Sequence, residues 1–195
     1  MSVRIESLES RLFFSAATLS TDEATLHSDI VAVAQAGVGW QSTLEGDVGR
    51  LTGKDKALGS KWEKGDLSKY KVLLKADTVG AAAVNKDIAK LDADQAKLSA
   101  SPTSSALVKK VSSDESKLQS AATKAQSAIT ADSNGLESAN TAGLTAISNA
   151  LSSNTQLQTD IGTIEADGAA RVVTIQTDAG TVFTTDVGAV ITVSA

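Results

Sequence analysis

The chain has 195 residues, of which Ala, Ser and Thr contribute 31, 24 and 20, while aromatics make up only 3%. An apolar content of 42% and a net charge of −5 exclude wholesale disorder, although bulky side chains are sparse enough that alanine must fill many core contacts. The absence of cysteine excludes disulfides, thiolate metal sites and cysteine nucleophiles, and the single histidine, His27, excludes any site built on two or three histidines.

Residues 1–19 differ in composition from everything after them and read as a separate N-terminal export or sorting segment. Only Leu12, Phe13 and Phe14 are consecutive apolar residues, too few for the apolar stretch of a conventional secretory signal. The run Leu8, Glu9, Ser10, Arg11, Leu12, Phe13, Phe14, Ser15, Ala16 resembles the LEPR-XLL type N-terminal motif of planctomycete and related bacterial exported proteins. Ser10 stands where that motif usually has proline, and Phe13 and Phe14 stand where leucines are common. The resemblance covers these nine residues, and it implies an exported, extracellular or cell-surface location rather than an activity.

Ser20-Thr21-Asp22-Glu23 has the form of a capping box, so a helix is expected to begin near residue 21. Beyond it, Leu26, Ile30, Val33, Gly37, Trp40, Leu44, Val48, Leu51, Asp55, Leu58 and Trp62 recur in steps of four and three, a heptad seam. Interior glycines, at about 1 kcal/mol each relative to alanine, make a break between Gly49 and Gly65 expected. Gly65-Asp66 reads as a stop and a new N-cap. A second seam follows through Asp77, Ala81, Val84, Ile88, Leu91, Gln95 and Leu98 and ends at Ser101-Pro102, where Ser101 is the expected cap of a third helix. Leu107, Val111, Asp114, Leu118, Ala121, Ala125 and Ala128 continue the spacing. Asp132-Ser133-Asn134-Gly135 reads as an interruption, with Asn134 and Glu137 capping a fourth helix striped by Leu144, Ile147, Leu151, Asn154, Leu157, Ile161 and Ile164.

The expected helices are therefore 21–64, 66–100, 102–132 and 135–190, an Ala/Ser/Thr-rich bundle over residues 20–195. The end of the chain is ambiguous. β-branched residues in 171–195 have the composition of a small β-meander, yet Val172, Ile175, Ala179, Val182, Asp186, Ala189 and Val193 keep the helical spacing, which favours a helix that frays. The fold class expected is all-α, an elongated antiparallel helical bundle of coiled-coil type. Seam aspartates 55, 77, 114 and 186 must sit at margins, pair with lysines or specify register.

Two segments look like copies: 88–98 and 108–118 share Lys90/Lys110, Asp94/Asp114, Lys97/Lys117 and Leu98/Leu118 at an offset of twenty. Heptad spacing alone can generate such a likeness, so no solenoid follows.

Motifs for chemistry are weak. Residues 48–55 approach a phosphate-binding loop but lack its first glycine and its final Ser/Thr. Asp92-Ala93-Asp94 opens like a calcium loop, but Ala96 and Lys97 stand where a ligand and the turn glycine are needed. His27 is expected in a solvated or edge position. No catalytic residue, metal ligand or cofactor is assigned, and no apolar run reaches the length of a membrane span.

Charge is distributed in a gradient: residues 54–75 carry a net +4, and residues 131–195 a net −6. Lys54, Lys56, Lys61, Lys64, Lys69 and Lys71, interleaved with Trp62 and Tyr70, could attract an anionic lipid or polymer, although arginine is missing and nucleic acid is a poor fit. The bland alternative makes Trp62 a plug at a bundle end with solvated lysines around it. The favoured function is a non-enzymatic, exported or surface-displayed structural or interaction protein, with a protein partner or self-association. The alternatives are a lipid- or polymer-binding helical protein and, from another class, a hydrolase with an unrecognised site.

Overall fold

The structure, a computed structural model, describes residues 2–47 and 53–194, with side chains described for 17–47, 53 and 56–192. The elements are α1 (Ser2–Asp47), α2 (Lys54–Ala100), α3 (Ser105–Ala150) and α4 (Thr155–Gly180), followed by a π-helical segment (Thr181–Asp186) and α5 (Val187–Ser194). The helices pack against one another in an all-α bundle, and no strand occurs among the described residues. None of their helices is long and apolar enough to cross a membrane. The side chains of the export-like motif, Leu8 to Ala16, and those of Lys54 and Asp55 lie outside the described residues, as do Val48 and Leu51.

Four expected boundaries are corrected. The helix expected to start near residue 21 is already formed upstream of it: Thr21 and Thr25 donate to the carbonyls of Ala17 and Thr21, and Glu23 accepts from Asn85 Nδ2 instead of capping. In place of a helix over 21–64, α1 ends at Asp47 and α2 begins at Lys54, just after Gly53, whose φ of 60° is a conformation that side-chain-bearing residues avoid. Gly65-Asp66 ends nothing, because buried Trp62, Leu73 and Asp77 hold one stripe through it. The cap of α3 is Ser104, whose Oγ accepts from the Leu107 amide at 3.4 Å, three residues beyond the expected Ser101.

The interruption expected at 132–135 is also absent. Leu118, Ala122, Ala125, Ile129, Ser133, Leu136, Asn140, Leu144 and Ile147 form one buried row in steps of four and three, displacing the expected Ala121 and Ala128. Ser133 and Asn140 are tolerated in it because both are hydrogen-bonded: Ser133 Oγ to Thr130 O and Gln176 Nε2, and Asn140 Oδ1 to Trp62 Nε1. The real break falls at 151–154, where Asn154 Oδ1 caps α4 by accepting from the Leu157 amide at 3.1 Å, and Asn154 Nδ2 donates to the Asp47 carbonyl.

The C-terminal region is helical, as its spacing favours. The π-helical segment inserts one residue into the row, so Val182 and Phe183, then Asp186 and Val187, are all buried, and Val190 rather than Ala189 continues the seam.

The chain divides into two compact units. The first comprises Met1–Leu26, Ala76–Ala128 and Asp178–Ala195. Its core holds Leu19, Leu26, Val84, Leu91, Leu118 and Phe183. There α2 and α3 run antiparallel and approach closely: a Cβ at Gly80 would stand 2.7 Å from that of Ala125. The duplicated segments meet across this pair. Asp94 receives Lys97 from its own helix and Lys110 from α3, each at 2.9 Å, and Asp114 receives Lys117 at 3.1 Å and Lys90 from α2. Paired lysines thus account for seam residue Asp114. Asp186 is different, since it faces another acid, Asp22.

The second unit comprises His27–Lys75 and Ile129–Thr177. Leu44, Trp62, Leu144, Ile147, Leu157, Ile161 and Ile164 form its core cluster, with Trp40, Leu58 and Leu151 packed against it.

Candidate functional site: an aromatic cavity in the second unit

Trp62 is seated in this core because α3 presents Gly143 opposite it. A Cβ there would stand 2.9 Å from Trp62 Cβ and Cγ and closer still to Cδ1. The Trp62 indole N–H donates to Asn140 Oδ1 at 2.9 Å. On α1, Trp40 Nε1 donates to Asp167 Oδ2 at 3.0 Å, and Arg171 Nε holds the same oxygen at 3.1 Å. Gly168 on α4 leaves room for the Asn140 amide, which a Cβ would meet at 2.9 Å. Both indole donors are therefore engaged, and each ring is held by a partner on another helix.

Between these rings lies a cavity of about 140 Å³ lined by Val33, Ala34, Gly37, Trp40, Trp62, Asp66, Leu67, Tyr70, Leu136, Asn140 and Val172, among others. It reaches the surface near Val38 and Leu67, which are exposed. The chain has two tryptophans and one tyrosine, and all three line this cavity. Among the described residues, its charged lining residues are Glu63, Asp66 and Glu137, and no lysine, arginine or histidine contributes.

Asp66 projects from α2 into this apolar setting. Its Oδ1 is buried and, among the described residues, has no hydrogen-bond partner. Burial pushes its carboxyl up to about 7, offset in part by the Trp62 indole beside it. Trp62, Asp66 and Tyr70 stand at spacings of four on one helix face, a signal readable in the sequence, whereas Gly65-Asp66 invites the reading of a helix start.

The residues of the expected anionic-surface patch separate. Lys56, Lys61, Lys64, Lys69 and Lys71 are exposed on α2, while Trp62 is buried and Tyr70 half-buried in the cavity wall. The lysines thus have no exposed tryptophan among them, and Trp62 is buried in the core cluster of the second unit. His27 is exposed. Among the described residues, no group of three or more His, Asp or Glu is placed to hold a metal ion.

Compared with protein-family models, curated proteins and solved structures, the chain matches none of them.

Proposed function

We propose that the protein is a non-catalytic helical binding module whose second unit receives a small, largely apolar ligand. The observation that carries this reading is the convergence of Trp40, Trp62 and Tyr70 on one cavity in a chain with so few aromatics. Preformed apolar cavities with a few convergent polar groups are the usual form of small-molecule sites. Asp66 and Asn140 would orient the ligand, while the walls exclude water. The resemblance of residues 8–16 to an export motif supports a further proposal, that the module works outside the cell or at its surface. The four-lysine, two-aspartate arrangement in the first unit supports a structural role for that part of the chain.

The reading is tested by filling the cavity. Gly37 lines the cavity and a Cβ there meets nothing within 4 Å, so Gly37→Leu is the substitution chosen to occupy it. Benzene-sized compounds are expected to raise the melting temperature of the native chain saturably and to leave the filled variant unmoved. Equal shifts in both proteins would contradict the reading.

A second reading, attraction to an anionic lipid or polymer, is favoured by the exposed lysines Lys56, Lys61, Lys64, Lys69 and Lys71 in the first turns of α2. Salt-sensitive co-sedimentation with anionic vesicles, lost when Lys61, Lys64 and Lys71 are replaced by glutamine, would support it.

A further inference from the structure

We infer that the cavity of the second unit is a receptor for a quaternary ammonium group, held among the rings of Trp40, Trp62 and Tyr70 with the Asp66 carboxylate as its counter-ion. The inference rests on the reading of this cavity as a ligand site and names the chemistry of the ligand.

Charge selects a cation. Among the described residues, Glu63, Asp66 and Glu137 line the cavity without a basic residue. Lys56, Lys61, Lys64, Lys69 and Lys71 on α2 carry their charge into solvent, where ions screen it over roughly 8 Å at physiological salt.

The rings select a soft cation. Both indole N–H groups already donate, to Asp167 and to Asn140, so the indoles offer a ligand their π-systems and not hydrogen bonds. An aromatic face carries a negative quadrupole that attracts cations, most strongly where water is displaced.

Hydrogen-bond supply then selects alkylation. A primary ammonium brings three donors. Among the described residues, the one buried side-chain oxygen lining the cavity without a partner is Asp66 Oδ1. A trimethylammonium group needs no acceptors, and its methyl groups meet Val33, Leu136 and Val172. Size agrees: the cavity of about 140 Å³ is close to the roughly 150 Å³ known to accommodate benzene.

The test titrates the full chain with choline and with its neutral carbon isostere, 3,3-dimethylbutan-1-ol, at pH 8 and constant ionic strength. Tryptophan emission is the readout, since both tryptophans line the cavity. Choline is expected to bind roughly ten-fold more tightly than the isostere. That preference should shrink at pH 5.5, where the Asp66 carboxyl, pushed up to about 7, is mostly protonated, and in Asp66→Asn it should be equally small at either pH, leaving the share that the rings contribute. Phosphatidylcholine vesicles form a separate arm: saturable emission changes with vesicles but not with free choline would place the ammonium group on a lipid and keep the inference. If the isostere binds as tightly as choline in the native chain, the ammonium inference fails and the apolar ligand site stands. If neither compound, nor benzene, nor vesicles perturb the emission saturably, the inference and the reading beneath it fall together.

Discussion

Asp94 and Asp114 occupy equivalent places in two antiparallel copies of one pattern. Each is buried, each is met by the lysine three residues later on its own helix, and each takes a second lysine from the facing helix. The sequence likeness between 88–98 and 108–118 thus becomes a local two-fold arrangement, in which Lys90 crosses to Asp114 and Lys110 crosses to Asp94.

Lys110 and Lys97 hold the Asp94 carboxyl well below the usual carboxylate range, and Asp114 in turn raises Lys90. A carboxylate depressed by folding contributes stability that is complete above its unfolded value of about 4 and is lost as the pH falls through the folded value. Lys110→Met should therefore raise the Asp94 pKa in an NMR titration and lower the urea midpoint at pH 7. At pH 2 the midpoints of variant and native chain should differ less.

Asp186 behaves in the opposite sense. Burial, then Asp22 opposite it, pushes its carboxyl up to about 6, and burial pushes Asp66 to about 7. Between pH 4 and 7 the folded chain binds more protons at these groups than the unfolded chain, so their contribution to stability falls as the pH rises through that window and is flat above it. Chemical denaturation at pH 5 and pH 8 should show this decline, and Asp186→Asn and Asp66→Asn should each flatten it.

Two glycines of the second unit should respond oppositely to alanine. At Gly143 the new Cβ collides with Trp62, and the overpacking cost of about 1–3 kcal/mol offsets or exceeds the gain in helix propensity. At Gly39 nothing stands within 4 Å, so Gly39→Ala should stabilise by about 1 kcal/mol. Urea unfolding of the two variants checks the contrast, and only Gly143→Ala should shift the tryptophan emission.

Trp62→Phe removes the N–H that satisfies Asn140 Oδ1 and leaves a buried polar group without that partner. The expected cost is about 1–3 kcal/mol. Trp40→Phe should cost less, because Asp167 keeps Arg171 and is more exposed. Equilibrium denaturation of both single variants measures the difference.

Much of the fold was legible because apolar residues mark the seams plainly: Leu26, Ile30, Val33 and Leu44, then Val84, Ile88 and Leu91, are buried as their spacing requires. The errors arose where polar or small residues occupy the same row. Ser133 and Asn140 look like loop residues until Gln176 and Trp62 are seen to satisfy them. Phe183 lies off the simple period because the π-helical segment shifts the row by one residue. The cavity was harder to read. Trp62, Asp66 and Tyr70 share a helix face, but Trp40 joins them from α1, and no one-dimensional pattern registers one helix against another.

The central claim, that the cavity of the second unit binds a ligand, is tested most directly by the two indole N–H resonances in a ¹⁵N-labelled sample. Both should move saturably, with one common dissociation constant, as choline or a benzene-sized compound is added, and neither should move in Gly37→Leu. Indole resonances that stay fixed in the native chain while the compounds are present in large excess would contradict it.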